Sequence, residues 1–165
     1  MDEFWDWIEK INDHKFVDHV DKIEFITTSL TSFQLEEIKS FDDILHELIS
    51  NANNADLWNL AIAIYCGCSR SSFKAFCSWL IFKGLNTYEK VVKDPILAIG
   101  LINHGDDVCD ERYQFVAQYA YLILTNKEMT LERREYVKLR GELAESVTQA
   151  RKMYPAVAEK YGDCN

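Results

Sequence analysis

Three closely spaced cysteines, Cys66, Cys68 and Cys77, are the first residues of this sequence that could do chemistry, as metal ligands or as a redox pair. Zinc ligands usually come in two sets, each with a gap of about two to four residues, and the second set is missing here. The sequence places these thiols among apolar rather than electropositive neighbours, which does not favour a reactive thiolate. We predict that the chain's five cysteines, which include Cys109 and Cys164, are reduced and mostly buried.

The segment from His104 to Glu111 is the second candidate, because it holds a histidine, a cysteine and four carboxylates. Ligands at this density suit a cation, but their spacing differs from that of an EF-hand loop. The same acids also suit the first turn of a helix, where the helix dipole attracts negative charge. We therefore predict a surface loop that leads into a helix, and the sequence leaves open whether this loop binds a cation.

The histidines offer no catalytic arrangement. His14 and His19 are five residues apart, which does not align them on a helix face, and His46 has no partner nearby in the sequence. The sequence also lacks the motifs of serine hydrolases, P-loop proteins, zinc proteases and dinucleotide-binding domains. We predict surface histidines and a protein without catalytic residues, a metal or a cofactor.

The elements that must position these residues are predicted to be helices. Only 2 prolines and 6 glycines interrupt the chain, and apolar residues recur at spacings of three and four. This pattern predicts an all-α fold of about seven to eight helices in one domain over residues 1–165. Residues 96–109 fit either a helical turn or an extended chain. The predicted helices cover 3–12, 15–27, 31–51, 55–66, 70–83, 87–93, 110–126 and 130–153.

The negative charge is concentrated at the start of the chain. Residues 1–60 hold 14 acids against four lysines, whereas residues 61–165 hold 13 acids against 14 bases. Such a surface repels nucleic acid phosphates and attracts a basic protein. The N-terminus lacks the basic start and apolar run of a secretion signal, and no stretch approaches the roughly 20 apolar residues of a membrane span. We predict a cytoplasmic protein with neither nucleic acid nor membrane as a partner.

The third predicted helix has an acidic side. Glu36, Asp43 and Glu47 fall in one narrow stripe at 100° per residue, and Trp5 and Trp7 near the N-terminus supply aromatic side chains that could anchor a partner. We expect these residues to bind a basic protein. The expected function is a non-enzymatic protein-binding domain, such as an immunity-type inhibitor that occupies a basic bacterial toxin.

Three alternatives stay open. The chain could be a small enzyme or metabolite-binding domain with an interhelical pocket that uses Asp56 or Asp106 together with Trp58 and Trp79. It could also be a homo-oligomeric scaffold. The acids could simply keep a small domain soluble.

Several motifs resemble, in their order, those of a bacterial family known only as a domain of unknown function. They extend over roughly residues 1–125 and are Phe4-Trp5, Asp56-Leu57-Trp58, Gly67-Cys68-Ser69, Phe73 and Phe76 with Trp79-Leu80-Ile81, Gly84, and Asp94-Pro95. The resemblance implies a compact helical fold and brings no activity, substrate or cofactor. Members of the family tend to have acids after the serine and an arginine before the tryptophan, where this chain has Arg70, Ser71, Cys77 and Ser78.

Overall fold

The computed structural model describes residues 1–103, 106–131 and 134–164, and these residues contain nine α-helices and no β-strand. The predicted all-α fold is confirmed. Two 3₁₀ helices, Pro95–Gly100 and Glu111–Phe115, join the later α-helices. The α-helices are α1 (Asp2–Asn12), α2 (His19–Leu30), α3 (Leu35–Asn51), α4 (Ala55–Tyr65), α5 (Arg70–Ile81), α6 (Leu85–Lys93), α7 (Val116–Thr125), α8 (Val147–Met153) and α9 (Pro155–Tyr161).

Short polar side chains fix where several helices begin. Asp18, Asn54, Ser69 and Ser146 each accept a hydrogen bond from a backbone N–H in the first turn of the next helix, which satisfies one of the donors left free there. Because Asp18 provides this cap, α2 begins at His19, four residues after the predicted start.

The capping box of α3 begins at Gln34, three residues after the start of the helix predicted over residues 31–51. Thr31 ends α2, so it cannot begin the next helix. Gln34 is the first residue of the box instead, and its backbone N–H donates to the carboxylate of Glu37 at 2.7 Å.

The centre of the fold is formed by α4 and α5. α4 packs against α8, α9 and Pro95–Gly100, and α5 packs against α3, α6 and Glu111–Phe115. Leu57 and Leu60 of α4, and Phe76 and Leu80 of α5, are fully buried. Each such side chain contributes about 1.5–3 kcal/mol by leaving water, so the two helices anchor the apolar cluster that the described residues form.

The predicted helix over residues 130–153 is wrong for most of its length. Residues 134–146, which we call the C-terminal strap, form no regular secondary structure, and a helix begins only at Val147. The strap is held by hydrogen bonds to other elements: the Ala55 N–H donates to the Arg140 carbonyl at 2.8 Å, and the Val137 N–H donates to Ser50 Oγ at 2.7 Å. Sparse apolar residues gave the strap too little amphipathic character to compete with these bonds.

A close backbone approach explains a glycine in the strap. Gly141 has φ of 88°, and a Cβ at this position would lie 3.1 Å from Cβ of Ala55. A glycine therefore lets the strap turn against the first residue of α4.

The prediction of five reduced and mostly buried cysteines is wrong for two of them. Cys66, at the end of α4, forms a disulfide with Cys164 near the C-terminus. Cys66 is exposed rather than buried, because the chain leaves α4 in the left-handed conformation at this residue, with φ of 56°. Cys77 is a buried free thiol as predicted, and Cys68 and Cys109 are half-buried free thiols. Among the described residues, no helix combines the length and apolar character that a membrane crossing requires.

Candidate functional site

The three acids predicted to bind a partner lie on one side of α3. At 100° per residue, Glu36, Asp43 and Glu47 fall within a stripe of about 40°, and all three are exposed. Lys39 Nζ lies 2.8 Å from the Glu36 carboxylate, and Arg134 donates to Asp43 Oδ1 at 2.8 Å. The protein's own cations therefore compensate part of this acidic ridge, although pairs between exposed side chains are weak and exchange easily.

The two tryptophans predicted as anchors have different environments. Trp5 is buried and packs edge-on against Phe4 at 5.2 Å, so in the folded chain it is part of the core and not open to a partner. Trp7 is half-buried and contacts Phe33 and Phe41 edge-on, with ring centroids 5.7 and 5.2 Å apart. Trp7 is the tryptophan of the pair that reaches the surface.

Trp7 lies in a groove between α1 and α3 with a volume of about 330 Å³. Its apolar lining includes Phe33, Phe41 and Ile44 as well as Trp7, and three glutamates also line it: Glu3, Glu36 and Glu37. We call this the acidic groove. An aromatic surface surrounded by carboxylates suits a cation, because both the ring faces and the carboxylates attract positive charge.

On the other flank of the ridge, α3 carries a buried carboxylate that sequence reasoning missed. Asp42 has no exposed surface, and Arg134 of the strap donates to its Oδ2. Gln118 of α7 donates to Oδ1 at 3.4 Å. The guanidinium and the amide together satisfy a charge that would be very costly to bury alone.

His46 lies one turn after Asp42 and is buried, so the prediction of a surface histidine is wrong here. Its Nδ1 forms a 2.9 Å hydrogen bond with the hydroxyl of Tyr136, while Nε2 has no hydrogen-bond partner among the described residues. Asp42 Oδ1 is 3.8 Å from Nε2. This carboxylate favours the proton on Nε2, so that Nδ1 accepts from Tyr136.

The imidazole of His46 is neutral near pH 7. Burial lowers its pKa to about 4, and the positive charges of Arg134 and Lys74 act in the same direction. The Asp42 carboxylate opposes this shift, and so does the backbone of Gln114, which lies near the ring without reaching hydrogen-bond geometry. The ring can therefore give or accept a neutral hydrogen bond.

A cavity of about 530 Å³ adjoins His46. Polar and cationic side chains from three parts of the chain line it: Arg70, Ser71 and Lys74 of α5, Gln114 and Gln118, and Arg134 and Tyr136 of the strap. A sequence signal for this site existed in Asp42 and His46, which are four residues apart and so share a helix face. Their partners on the strap are about 90 residues away, and no local pattern could indicate them.

The structure describes part of the segment from His104 to Glu111, for which the sequence left cation binding open. His104 and Gly105 lie outside the described residues. His19, Asp107 and Asp110 each offer a ligand atom within 4.8 Å of the other two. Arg112, however, donates hydrogen bonds to both carboxylate oxygens of Asp110 at 2.6 to 3.1 Å and lowers the pKa of this carboxyl. A cation would therefore have to displace an existing positive charge.

The residues of the alternative acidic pocket do not converge. Asp56 lines a shallow depression with Tyr88 and Arg140, whereas Trp58 stacks on Phe73 at 4.5 Å beside a different cavity. Trp79 is buried. The cavity that adjoins His46 is lined by cations instead and lies between α5 and the strap.

A family model with the description "Protein of unknown function (DUF4240)" matches residues 1–123, and the chain belongs to this family. The match confirms the resemblance seen in the sequence. It includes Asp42, His46 and Lys74 but ends before Arg134 and Tyr136. No curated protein and no solved structure matches the chain.

Proposed function

We propose that this member of the DUF4240 family is a non-enzymatic binding protein that recognises a basic protein through the acidic groove. The observation that carries the proposal is the position of Trp7, half-buried in a groove lined by Glu3, Glu36 and Glu37. An inserted lysine or arginine side chain would lie against the aromatic rings and between carboxylates. Both contacts favour a cation, and the apolar stem of the same side chain would cover Ile44 or Phe33.

The distribution of charge supports the same partner. The first 60 residues hold 14 of the 27 acids but only four of the 18 bases. A surface of this kind speeds the diffusional approach of a basic protein and orients it before contact. Lys39 does not block the groove, because its pair with Glu36 is exposed, with Glu36 at 83% side-chain exposure.

The specific role that we propose is an immunity-type inhibitor, which neutralises a basic toxin by covering it. This role requires fast capture and a tight, desolvated anchor rather than catalysis. The carboxylates of the acidic groove would provide fast capture, and the half-buried Trp7 in this groove would provide the desolvated anchor.

Site-specific photo-crosslinking in the host cell tests the proposal. A photoreactive residue at Ser40, which is exposed and lines the groove, should capture a basic protein. The same residue at the exposed Asn86 of α6 should not capture it. Capture of the same protein from both positions, or of acidic proteins from Ser40, would contradict the proposal.

Association kinetics with the captured protein then test the charges. The double variant Glu36→Lys/Glu37→Lys should associate at least about tenfold more slowly at low salt, since steering depends on the local field. The matched control Glu142→Lys/Glu145→Lys makes the same change in net charge on the exposed strap and should have a much smaller effect. Equal slowing by both pairs would mean that only net charge matters, and an unchanged rate would exclude the groove.

A further inference from the structure

Two cavities meet between α5 and the C-terminal strap. The larger, of about 530 Å³, adjoins His46, and the smaller, of about 330 Å³, adjoins Trp58. Arg70, Lys74 and Tyr136 line both. We call the combined space the strap cleft, and it lies on the far side of the acidic ridge from the acidic groove.

Two buried side-chain nitrogens at the strap cleft have no hydrogen-bond partner among the described residues. His46 and Gln114 both line the larger cavity, with only 6% and 3% of their surfaces exposed. Neither His46 Nε2 nor Gln114 Nε2 has a hydrogen-bond partner. An unsatisfied buried donor costs about 1–3 kcal/mol, so such groups are rare unless something else binds them. The Gln114 amide nitrogen is a donor, and Nε2 of His46 is a donor in the tautomer that Asp42 favours.

The charge of the cleft is positive although the whole chain has a formal charge of −9. Arg134 is bound to Asp42 and Asp43, but no carboxylate of the described residues forms an ion pair with Arg70 or Lys74. Two cations with free hydrogen-bonding capacity therefore face the same space as the two unpartnered donors.

Apolar surfaces lie at both ends of the cleft. Phe115 and Leu131 line the larger cavity, and Trp58, stacked on Phe73 with an interplanar angle of 2°, lines the smaller. Lys74 Nζ lies 4.0 Å from the centre of the Tyr136 ring, so the cation is held between the two cavities.

We infer that the strap cleft binds a small organic anion, with a carboxylate or phosphate monoester between Arg70, Lys74, Gln114 and His46 and an apolar or aromatic body against Phe115 or Trp58. Cations and neutral N–H donors converge on a space large enough for a metabolite, which is the usual composition of an oxyanion site. The inference does not depend on the acidic groove, because none of these residues lines that groove.

NMR titration of the whole chain with defined probes tests this inference. Phenyl phosphate and benzoate represent the two oxyanions on an aromatic body, and benzyl alcohol and benzylammonium are the neutral and cationic controls. At least one anionic probe should shift the Gln114 side-chain amide and the His46 imidazole resonances saturably at up to about 10 mM, whereas the controls should not. Whichever anion binds more tightly identifies the oxyanion class.

Matched variants locate the binding. Arg70→Gln and Lys74→Gln should each weaken the better probe at least about tenfold, as expected for loss of a charge-assisted hydrogen bond. The exposed Lys152→Gln removes the same charge outside the cleft and should change affinity less than about twofold. The inference would be overturned if neither anion caused a saturable shift at Gln114 or His46, or if all three variants had equal effects. Inorganic phosphate, as a further probe, should bind more weakly than phenyl phosphate; equal binding of the two would also overturn the inference.

Discussion

The guanidinium of Arg134 in the C-terminal strap lies against the buried carboxylate of Asp42 in α3, 92 residues earlier in the chain. The same guanidinium also binds the exposed carboxylate of Asp43 at 2.8 Å. One side chain thus closes the strap over α3, neutralises a buried charge and compensates part of the acidic ridge.

Arg134→Gln is expected to lower the free energy of unfolding by roughly 3–5 kcal/mol, because it leaves Asp42 as an uncompensated buried charge. Urea unfolding at pH 7 measures this loss. The double variant Asp42→Asn/Arg134→Gln should recover part of it, since the amide no longer needs a counter-charge. As a control, Lys39→Gln breaks the exposed pair with Glu36 and should cost much less, because pairs between exposed side chains are weak. A loss no larger than that of Lys39→Gln would show that water reaches Asp42.

The sequence predicted what depends on local patterns and missed what depends on distant contacts. The periodicity of α4 and α5 and the caps at Asn54 and Ser69 act within a few residues, so these helices are confirmed close to their predicted ends. The strap has no such pattern. Its conformation is set by partners more than 80 residues away, such as Asn59 with the Glu142 carbonyl.

The candidate site could be predicted only in part, for the same reason. Glu36 and Trp7 could be selected from the sequence because their charge and size are visible there. Whether Trp5 or Trp7 reaches the surface depends on how α1 packs on its neighbours. The burial of His46 depends on the strap that covers it. The disulfide of Cys66 requires the two ends of a long loop to meet, because its partner Cys164 lies 98 positions later in the sequence.

Asn59 is predicted to be the main attachment of the strap to α4. Its side chain is fully buried, donates to the Glu142 carbonyl at 3.1 Å and accepts from the Ala144 N–H at 2.8 Å. Asn59→Ala should therefore cost about 2–3 kcal/mol of stability and speed hydrogen exchange at the Ala144 amide. The control Asn53→Ala removes one exposed bond to the Val137 carbonyl and should have a smaller effect on both. Unchanged exchange at Ala144 would mean that the strap is held by other contacts.

The disulfide between Cys66 and Cys164 is expected to stabilise the fold by roughly 2–4 kcal/mol, because it closes a long loop in the unfolded chain. Cys66→Ser, Cys164→Ser and the double variant should lower the denaturation midpoint equally, since each removes the same bond. A reducing agent should lower the midpoint of the native chain and leave the three variants unchanged. Losses in the single variants that add up in the double variant would show that the two cysteines act separately.

His46 should make the stability depend on pH in a defined window. The unfolded chain binds a proton at this imidazole near the ordinary pKa of 6.5, but the folded chain does so only at about 4. Between these values the unfolded state holds more protons, so the free energy of unfolding falls as the pH drops, by up to about 1.4 kcal/mol per pH unit. Well above pH 6.5 the residue makes no pH-dependent contribution, because the ring is then neutral in both states.

Urea unfolding of the native chain and of His46→Gln between pH 7 and pH 4 measures this difference. The variant should lose the part of the slope that His46 causes. The imidazole resonances of His46 give an independent check, since their titration midpoint in the folded chain should lie near 4. A midpoint at or above 6.5 would show that the ring is open to water. The strap cleft that His46 adjoins would then be open to water as well.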